Sequence, residues 1–314
     1  MIVVLTGGTG GSKLLHGLYH VVAPQGLTVI VNTGDDIEWW GLHVSPDIDS
    51  VLYGLSGRLS SERGWGLESD SFRCLERMRE LGQPVWFSLG DLDLATHLTR
   101  TALLRQGRTL SEATAELAAK LGVRARVLPM TDKRVSTLLE TAKGTLNFQE
   151  YFVRERYQVD AHGVRFEGVA DARPAPGVIE VIESAEAVIV APSNPVTSVG
   201  PILAVPGVRK ALEQTRATIA AVSPIVGGAA VSGPAGSLMQ MMGWPCSVAG
   251  IAEAYEDFLD VLVVDIADEH EVPHLGTDRL RVLYTSTLMR TPADMRDLAR
   301  FTLDSLAILH GAKA

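Results

Sequence analysis

Four aspartates lie in one short segment of the chain, VNTGDDIEWWGLHVSPDIDSVLYGL. Carboxylates at this density repel one another, and they would also repel a phosphate, unless a cation lies among them. Hard divalent cations, magnesium above all, prefer carboxylate oxygens together with phosphate and water oxygens. The segment therefore predicts a magnesium site formed by one or two of these side chains. The four residues are Asp35, Asp36, Asp47 and Asp49.

The same aspartates also have a structural interpretation. In it, Asp35 forms an Asx turn and Asp36 caps a helix. Asp47 and Asp49 then do the same for the helix predicted at IDSVLYGL. The sequence leaves both interpretations open.

A glycine cluster, GGTGG, lies between the first apolar run of the chain and an apolar stretch with helical spacing. Residues without a Cβ let backbone amides approach a ligand, and amides at a helix start attract phosphate. Two common signatures do not fit, because G-x-G-x-x-G requires glycine at Lys13 and G-x-x-x-x-G-K-[ST] requires it at Ser12. The cluster predicts another type of phosphate site, with a tight structural turn as the alternative. Its members are Gly7, Gly8, Thr9, Gly10 and Gly11.

A second polar cluster lies in WFSLGDLDLATHLTR, after an aromatic pair. If the chain is helical from Leu94, then Asp93, His97 and Arg100 share one helix face and can serve one ligand. In the alternative, Asp93 caps the helix, His97 is an ordinary core or surface histidine and Arg100 forms a salt bridge. The candidate residues are Trp86, Phe87, Asp91, Asp93, His97 and Arg100.

Two later loops follow apolar runs and carry polar or glycine residues. The first, APSNPVTSVG, offers hydroxyl and amide groups that bind sugars or phosphates without added charge. The second, SPIVGG, predicts close approach of a base or ribose to the backbone. Turn formation is the alternative for both. The residues are Ser193, Asn194, Pro195, Thr197, Ser198, Gly227 and Gly228.

The elements that must position these residues alternate along the chain. Apolar runs such as MIVVLT, LTVIVNT, AVIVAPS and FLDVLVVDIAD predict strands, as does a short run at PVWF, and helical patterns separate them. We expect an α/β fold, a Rossmann-like, mostly parallel sheet flanked by helices. Residues 1–143 and 183–314 form its two parts, and an inserted antiparallel segment occupies residues 144–182.

Composition limits the function further. The chain has 314 residues, a net charge of −9 and a hydrophobic content of 46%. This balance argues against a nucleic-acid-binding surface, and no apolar stretch is long enough to span a membrane. The two cysteines, Cys74 and Cys246, lack the spacing of a zinc site. We expect buried, reduced thiols in a cytoplasmic protein.

Eight segments, in order and over nearly the whole chain, resemble the 2-phospho-L-lactate transferases of coenzyme F-420 biosynthesis. They are GGTGGSKLLHGL, NTGDD, SPDIDSVLYGL, ERGWG, WFSLGDLDLATHLTRT, LNFQEYFVRE, APSNPVTSVGPILAVPGVR and SPIVGGAAVSGPA. The resemblance implies transfer of a phospholactyl, phosphoenolpyruvyl or related phospho-acid group from a guanosine diphosphate conjugate. The acceptor is the terminal ribityl hydroxyl of the deazaflavin Fo, and GMP is released in a magnesium-dependent reaction. The resemblance also implies a homodimer.

The resemblance implies roles for the candidate residues. Asp36 and Asp49 are the expected magnesium ligands, and Asp35 or Asp47 is the expected acceptor of the hydroxyl proton. The glycine cluster faces the diphosphate, and the two later loops hold the rest of the nucleotide. The aromatic pair, the residues from Asp91 to Arg100 and part of the insertion form the deazaflavin pocket.

Two other functions are consistent with parts of the sequence. A nucleotide-sugar-binding regulatory protein of the same superfamily would share the glycine cluster and the sheet. An NAD-dependent oxidoreductase is disfavoured by Lys13 and by the surplus of carboxylates. The segments assigned to the deazaflavin pocket favour the transferase.

Overall fold

The structure, a computed structural model, describes residues 1–277 and 279–313. The helices and strands in chain order are β1 (Ile2–Thr6), α1 (Gly8–Val21), β2 (Leu27–Val31), β3 (Ile37–Trp39), β4 (Leu42–Val44), α2 (Pro46–Leu55), α3 (Arg73–Glu80), α4 (Asp91–Arg105), α5 (Leu110–Lys120), β5 (Arg126–Pro129), β6 (Ser136–Thr141), β7 (Gly144–Asn147), β8 (Ala161–Glu167), α6 (Val178–Glu183), β9 (Ala187–Val190), α7 (Gly200–Ala204), α8 (Val208–Gln214), β10 (Thr218–Val222), β11 (Ile225–Val226), β12 (Ala229–Ala230), α9 (Ala235–Met241), α10 (Val248–Ala254), β13 (Val261–Asp265), β14 (Arg281–Thr285) and α11 (Pro292–Lys313). Short π-helices cover Glu150–Arg154 and Pro195–Val199, and short 3₁₀ helices cover Pro24–Gly26, Val169–Asp171 and Ile266–His274.

A seven-stranded parallel sheet forms the centre of the fold, in the order β14-β13-β10-β9-β1-β2-β5. Strand β1 pairs with β2 on one side and with β9 on the other, with Val4 opposite Val29 and Ile189. The chain therefore changes direction across the sheet at β1, which opens a crevice at the carboxyl ends of these strands. The predicted α/β fold is confirmed.

Side chains alternate along the buried strands and so build a core on each face of the sheet. Val3 and Leu5 point to the face covered by α6 to α10, and Val4 points to the face covered by α1, α2, α5 and α11. The apolar runs predicted as strands are thus buried on both sides, as parallel strands require.

The predicted antiparallel segment exists, but its limits and content differ. Strands β7, β6 and β8 form a three-stranded antiparallel sheet, and β6 begins at Ser136, before the expected start of the insertion. Residues 150–154, predicted to be extended, form a π-helix instead. The strand predicted at PVWF was wrong, because residues 83–90 contain no strand. Cys74 and Cys246 are half-buried free cysteines rather than buried ones.

Among the helices within residues 1–277 and 279–313, none combines the length and apolar content that a membrane crossing requires.

Helix α1 contacts the terminal helix α11 through a glycine. A Cβ at Gly17 would overlap the carbonyl oxygen of Met295. We expect Gly17→Ala to lower the free energy of unfolding by about 1–3 kcal/mol, as overpacking usually does. Gly26→Ala is the matched control, because a Cβ there has no heavy atom within 4 Å. Urea denaturation measures both, and equal stabilities of the two variants would contradict this packing.

Candidate functional site

The crevice at the carboxyl ends of β1, β2 and β9 is formed by three loops together with the helical turns that begin in two of them, residues 7–11, 32–36 and 192–199. We call it the phosphate crevice. The Ser193 hydroxyl donates to the Gly7 carbonyl at 2.7 Å, which joins the first loop to the third. The Asn32 amide donates to the Thr197 carbonyl at 3.2 Å, which joins the second to the third. Three of the predicted segments therefore meet at one edge of the sheet.

The glycine cluster is closely packed and partly helical, unlike an exposed loop. Helix α1 already begins at Gly8, so Gly10 and Gly11 lie in its first turn rather than before it. Gly8 has a φ of +70°, in the region that favours glycine. A Cβ at Gly7 would lie 2.7 Å from Asp47 Oδ2, and one at Gly11 would overlap Thr6. The cluster is thus required for close packing, and it also presents the amides of a helix start.

Asn32 holds two buried carboxylates. Its Nδ2 donates to Asp35 Oδ2 at 3.0 Å and to Asp47 Oδ2 at 2.9 Å. Asp47 Oδ1 also accepts the Gly8 amide at 2.7 Å. Burial raises the pKa of Asp47 to about 6. Burial, and then the negative charge of Asp47, raise the pKa of Asp35 well above its usual value. Both carboxyls are therefore poised to bind a proton or a cation.

Asp36 forms a small polar group with two residues of the β3–β4 region. Its Oδ2 accepts the Ser45 hydroxyl at 2.7 Å and lies 2.9 Å from His43 Nε2. Burial raises the pKa of Asp36, although the hydrogen bonds from His43 and Ser45 oppose the shift. Oδ1 of Asp36 and Oδ1 of Asp35 are buried without a hydrogen-bond partner among the described residues. These two oxygens are the atoms of the site best suited to a cation.

The described residues hold no group of three or more His, Cys, Asp or Glu side chains arranged to bind a metal. A site of one or two carboxylates is compatible with magnesium, which keeps several waters and takes phosphate oxygens as further ligands. The fit of the residues to magnesium therefore rests on the two unpartnered oxygens.

Asp49 has a different partner from the one expected. Arg100 Nη1 donates to Asp49 Oδ2 at 3.1 Å, and Arg100 Nη2 donates to Asp49 Oδ1. Arg100 is fully buried. Both oxygens of Asp49 already accept from Arg100, so a metal at Asp49 would share the carboxylate with this guanidinium. Its assignment as a magnesium ligand stays a prediction.

Asp93, His97 and Arg100 do share one face of α4, as predicted, and that face is buried. Asp93 Oδ1 accepts the Tyr53 hydroxyl at 2.6 Å and lies 3.2 Å from His97 Nε2. All these side chains are enclosed between α4 and α2. The structure matches the structural alternative for His97, a core histidine, and for Arg100, which forms a salt bridge, but Asp93 does not cap the helix, whose N-cap is Gly90. A role of this face in binding deazaflavin stays a prediction.

Asp91 and the aromatic pair lie nearer the surface. Asp91 accepts the Cys74 amide at 2.9 Å at the start of α3, and its pKa is lowered, first by the Ser71 hydroxyl. The ring centroid of Trp86 lies 4.7 Å from that of the buried Trp39. The guanidinium carbon of Arg154 lies over the Trp86 ring, 5.6 Å from its centroid. Phe87 packs on the same cluster at 6.1 Å from Trp39. The antiparallel insertion thus reaches the aromatic cluster through Arg154.

In the 192–199 loop, the predicted polar groups bind backbone. Asn194 Oδ1 accepts the Val196 amide at 2.9 Å and so caps the π-helix that begins at Pro195. Ser198 is buried beside Gly7. Binding of a ligand by this loop remains a prediction.

The two glycines of SPIVGG form the turn of the β11–β12 hairpin. Gly227 and Gly228 have φ values of +60° and +71°, and their amides donate to the Asp268 carboxylate at 2.9 and 2.8 Å. A carboxylate of the chain therefore occupies the position predicted for a nucleotide, whose binding there stays untested.

Sequence reasoning missed Asn32, His43 and Ser45. Asn32 directly follows β2, and a polar residue at the carboxyl end of a parallel strand is a usable signal. His43 and Ser45 depend on the β3–β4 hairpin, in which Ile37 pairs with Val44. The sequence did not predict that hairpin.

The family model described as "2-phospho-L-lactate transferase CofD" matches residues 2–284. A 2-phospho-L-lactate transferase of Methanosarcina mazei is 42% identical over 307 residues, 97% of this chain and 100% of its own. One of Methanosarcina acetivorans is 45% identical and covers 96% and 98%. A phosphoenolpyruvate transferase of Kitasatospora aureofaciens is 41% identical and covers 96% of each chain.

A solved structure of a UPF0052 family protein from Bacillus halodurans is similar in fold. Its TM-score is 0.64 at 19% identity, over 96% of this chain and 98% of that one. At this identity the likeness concerns the fold alone.

The buried Asp49–Arg100 pair should be critical for stability. Arg100→Met removes both guanidinium hydrogen bonds of the buried Asp49 carboxylate and leaves only His97 Nδ1 beside it, at 3.5 Å, which we expect to cost about 3–5 kcal/mol of unfolding free energy. Arg300→Met is the matched control, because Arg300 and Asp297 form an exposed pair expected to contribute less than about 1 kcal/mol. Denaturant unfolding compares the variants.

The double variant Asp49→Asn with Arg100→Met removes the unpaired charge and should recover part of the loss. Equal stability of Arg100→Met and Arg300→Met would show that the pair does not matter.

The raised pKa of Asp47 predicts a pH dependence of stability. Between about pH 4 and pH 6 the folded chain keeps a proton on Asp47 that the unfolded chain has lost. The free energy of unfolding should therefore fall as pH rises through this window, in buffer with a chelator. Asp47→Asn should flatten this part of the profile, whatever its absolute stability. Parallel profiles of the two proteins, from urea denaturation at several pH values, would refute the shift.

Proposed function

Because the chain belongs to the 2-phospho-L-lactate transferase family, we propose that it transfers a phospholactyl or phosphoenolpyruvyl-type group to the deazaflavin Fo. The donor is a guanosine diphosphate conjugate, GMP is released, and the reaction belongs to coenzyme F-420 biosynthesis. Family membership confirms the predicted resemblance and the prediction of a transferase. The name of the Kitasatospora relative supports a phosphoenolpyruvyl donor as the second possibility.

One observation supports this function most strongly: the start of α1 and the buried carboxylates of Asp35 and Asp47 meet at the phosphate crevice, and the partly exposed Asp36 lies in the same loop as Asp35. Free amides at the positive end of a helix attract a diphosphate. Carboxylates that face a diphosphate require a cation between them. Both requirements match transfer of a phosphoryl-linked group.

In this reaction the ribityl oxygen attacks the phosphorus of the phospho-acid in line with the bond to GMP. A new P–O bond forms, the bond to GMP breaks with its electron pair, and the hydroxyl proton passes to a base. The amides of the glycine cluster stabilise the negative charge that develops on the diphosphate. The chain thus contributes position and electrostatic stabilisation.

Magnesium, when bound, would neutralise charge on the diphosphate. Asp36 is the carboxylate that would hold it, because its Oδ1 has no hydrogen-bond partner in the described part of the chain. Asp49, if it joined Asp36, would share its carboxylate between the cation and Arg100.

The proton acceptor is Asp35 or Asp47. The pKa of each is raised toward the range in which a carboxylate accepts a proton near neutral pH. Asp35 fits better, because Asp47 already accepts the Gly8 amide and the Asn32 amide. We expect the enzyme that carries out this reaction to be a cytoplasmic homodimer.

The activity is tested by incubating the protein with Fo, magnesium and each candidate guanosine conjugate, and identifying products by mass. We expect a phospho-acid ester of Fo and GMP. Asp36→Asn should lower turnover by about 100-fold or more, since it removes the charge that holds the cation.

Asp297→Asn, an exposed site on α11, serves as the control and should keep wild-type turnover. Circular dichroism shows whether the variants fold. Wild-type turnover by Asp36→Asn would remove Asp36 from the mechanism, whereas ligand binding without any product would favour the regulatory-protein alternative.

A further inference from the structure

The phospho-acids considered for the donor all carry a carboxylate beside the transferred phosphate. A buried or half-buried carboxylate requires a cation or several hydrogen-bond donors. The following inference rests on the proposed function, and it asks which side chains meet this need.

The elements around the phosphate crevice offer almost no free cation. Loops 32–36 and 192–199 and helix α2 contain no Lys or Arg. On α1, Lys13 Nζ donates to the Met289 carbonyl at 3.3 Å. Arg100, which reaches α2 from α4, is engaged by Asp49. A cationic side chain that pairs with the carboxylate of the donor must therefore come from outside the crevice.

A cleft of about 430 Å³ begins beside Asp36, within the range of small-molecule sites. It lies between the β3–β4 region, the end of α4, the start of α5 and the loop after β5. We call it the 133–134 cleft. Residues that line it include Thr33, Asp36, His43, Arg105, Lys133 and Arg134. Because Asp36 belongs to both, the cleft adjoins the phosphate crevice.

Two of the charged residues that line the cleft already have partners. Arg105 donates to the Gly41 carbonyl at 3.1 Å. Asp132 accepts the amide and hydroxyl of Ser111, each at 2.7 Å. Glu38, the other acid beside Asp36, is exposed, as are Lys133 and Arg134, so water and salt weaken the attraction between Glu38 and these two cations.

Lys133 and Arg134 differ from them. Within residues 1–277 and 279–313, neither side chain has an ion pair or a hydrogen bond to the chain. Thr33 adds a buried hydroxyl without a partner among the described residues. Two free cations and a free hydroxyl in one cleft form a set of donors that suits a carboxylate, which Arg binds through its planar fork.

We propose that Lys133 and Arg134 bind the carboxylate of the phospho-acid, with the Thr33 hydroxyl as a further donor. The diphosphate then lies at the glycine cluster and the carboxylate in the 133–134 cleft, with Asp36 between them. These side chains determine that the transferred group is an acid, and they take no part in bond breaking.

The test compares a ligand that has the carboxylate with one that lacks it. Equilibrium binding of the guanosine diphosphate conjugate of lactate and of GDP is measured by calorimetry for the wild type, Arg134→Ala and Lys133→Ala with Arg134→Ala. We expect the double variant to bind the conjugate about 10- to 100-fold more weakly, the loss of hydrogen bonds to a charged group, while GDP affinity changes less than twofold.

Turnover provides a second measurement. KM for the conjugate should rise in the double variant while kcat changes little, and Arg134→Lys should lie between the wild type and Arg134→Ala. Lys210→Ala on α8, an exposed lysine outside the cleft, is the control and should match the wild type.

Unchanged affinity for the conjugate in the double variant would overturn the assignment. Product formation by the wild-type protein would still support the proposed function in that case. Equal losses for the conjugate and GDP would also overturn it, because the residues would then act on the nucleotide. If the wild type gives no product with any donor, the proposed function fails, and the binding comparison alone decides whether the cleft recognises a carboxylate.

Discussion

The site depends on the constraint that buried carboxylates cannot stay charged without a partner. The side-chain amide of Asn32 donates hydrogen bonds to both Asp35 and Asp47. Because this amide is neutral, it does not cancel the negative charge of the two carboxylates. The Gly8 amide supplies the next hydrogen bond and so ties the helix start to the acids. What remains unsatisfied, an oxygen on Asp35 and one on Asp36, is the capacity of the site for a proton or a cation. Negative charge that the fold leaves uncompensated is thus concentrated beside amides that attract phosphate.

Helix α2 connects this charge to the rest of the molecule. Asp47 and Asp49 lie two positions apart in its first turn, so they point in different directions. Asp47 turns to the glycine cluster and Asp49 turns to Arg100 on α4. The Arg100 guanidinium thereby holds the helix that carries Asp47 in place. Of the two acids in this segment, Asp47 therefore lies at the crevice and Asp49 lies in the core. The PDID segment alone does not distinguish the two roles.

The sequence predicted local features well and distant pairings poorly. Strand β1, the glycine turn and the shared face of α4 follow from periodicity over a few residues. The pairing of Asp49 with Arg100 spans 51 positions, and that of Gly228 with Asp268 spans 40. No local pattern specifies which buried charge meets which, because tertiary packing decides it. The π-helix at residues 150–154 was missed because its alternating side chains are also typical of a strand.

Many chains with little sequence in common share a parallel sheet with a crevice at its carboxyl edge, so the sheet alone does not set the reaction. In the proposed function, the chemistry of this chain depends on the residues that follow β2 and β5. The loop after β2 supplies the acids, and the loop after β5 supplies Lys133 and Arg134. The two strands are neighbours in the sheet, with Val31 opposite Pro129, so their loops emerge side by side. A donor with two anionic groups needs two separate sources of positive charge. A helix start on one side of Asp36 and unpaired cations on the other meet that need, while a single basic patch would not fix the direction of the substrate.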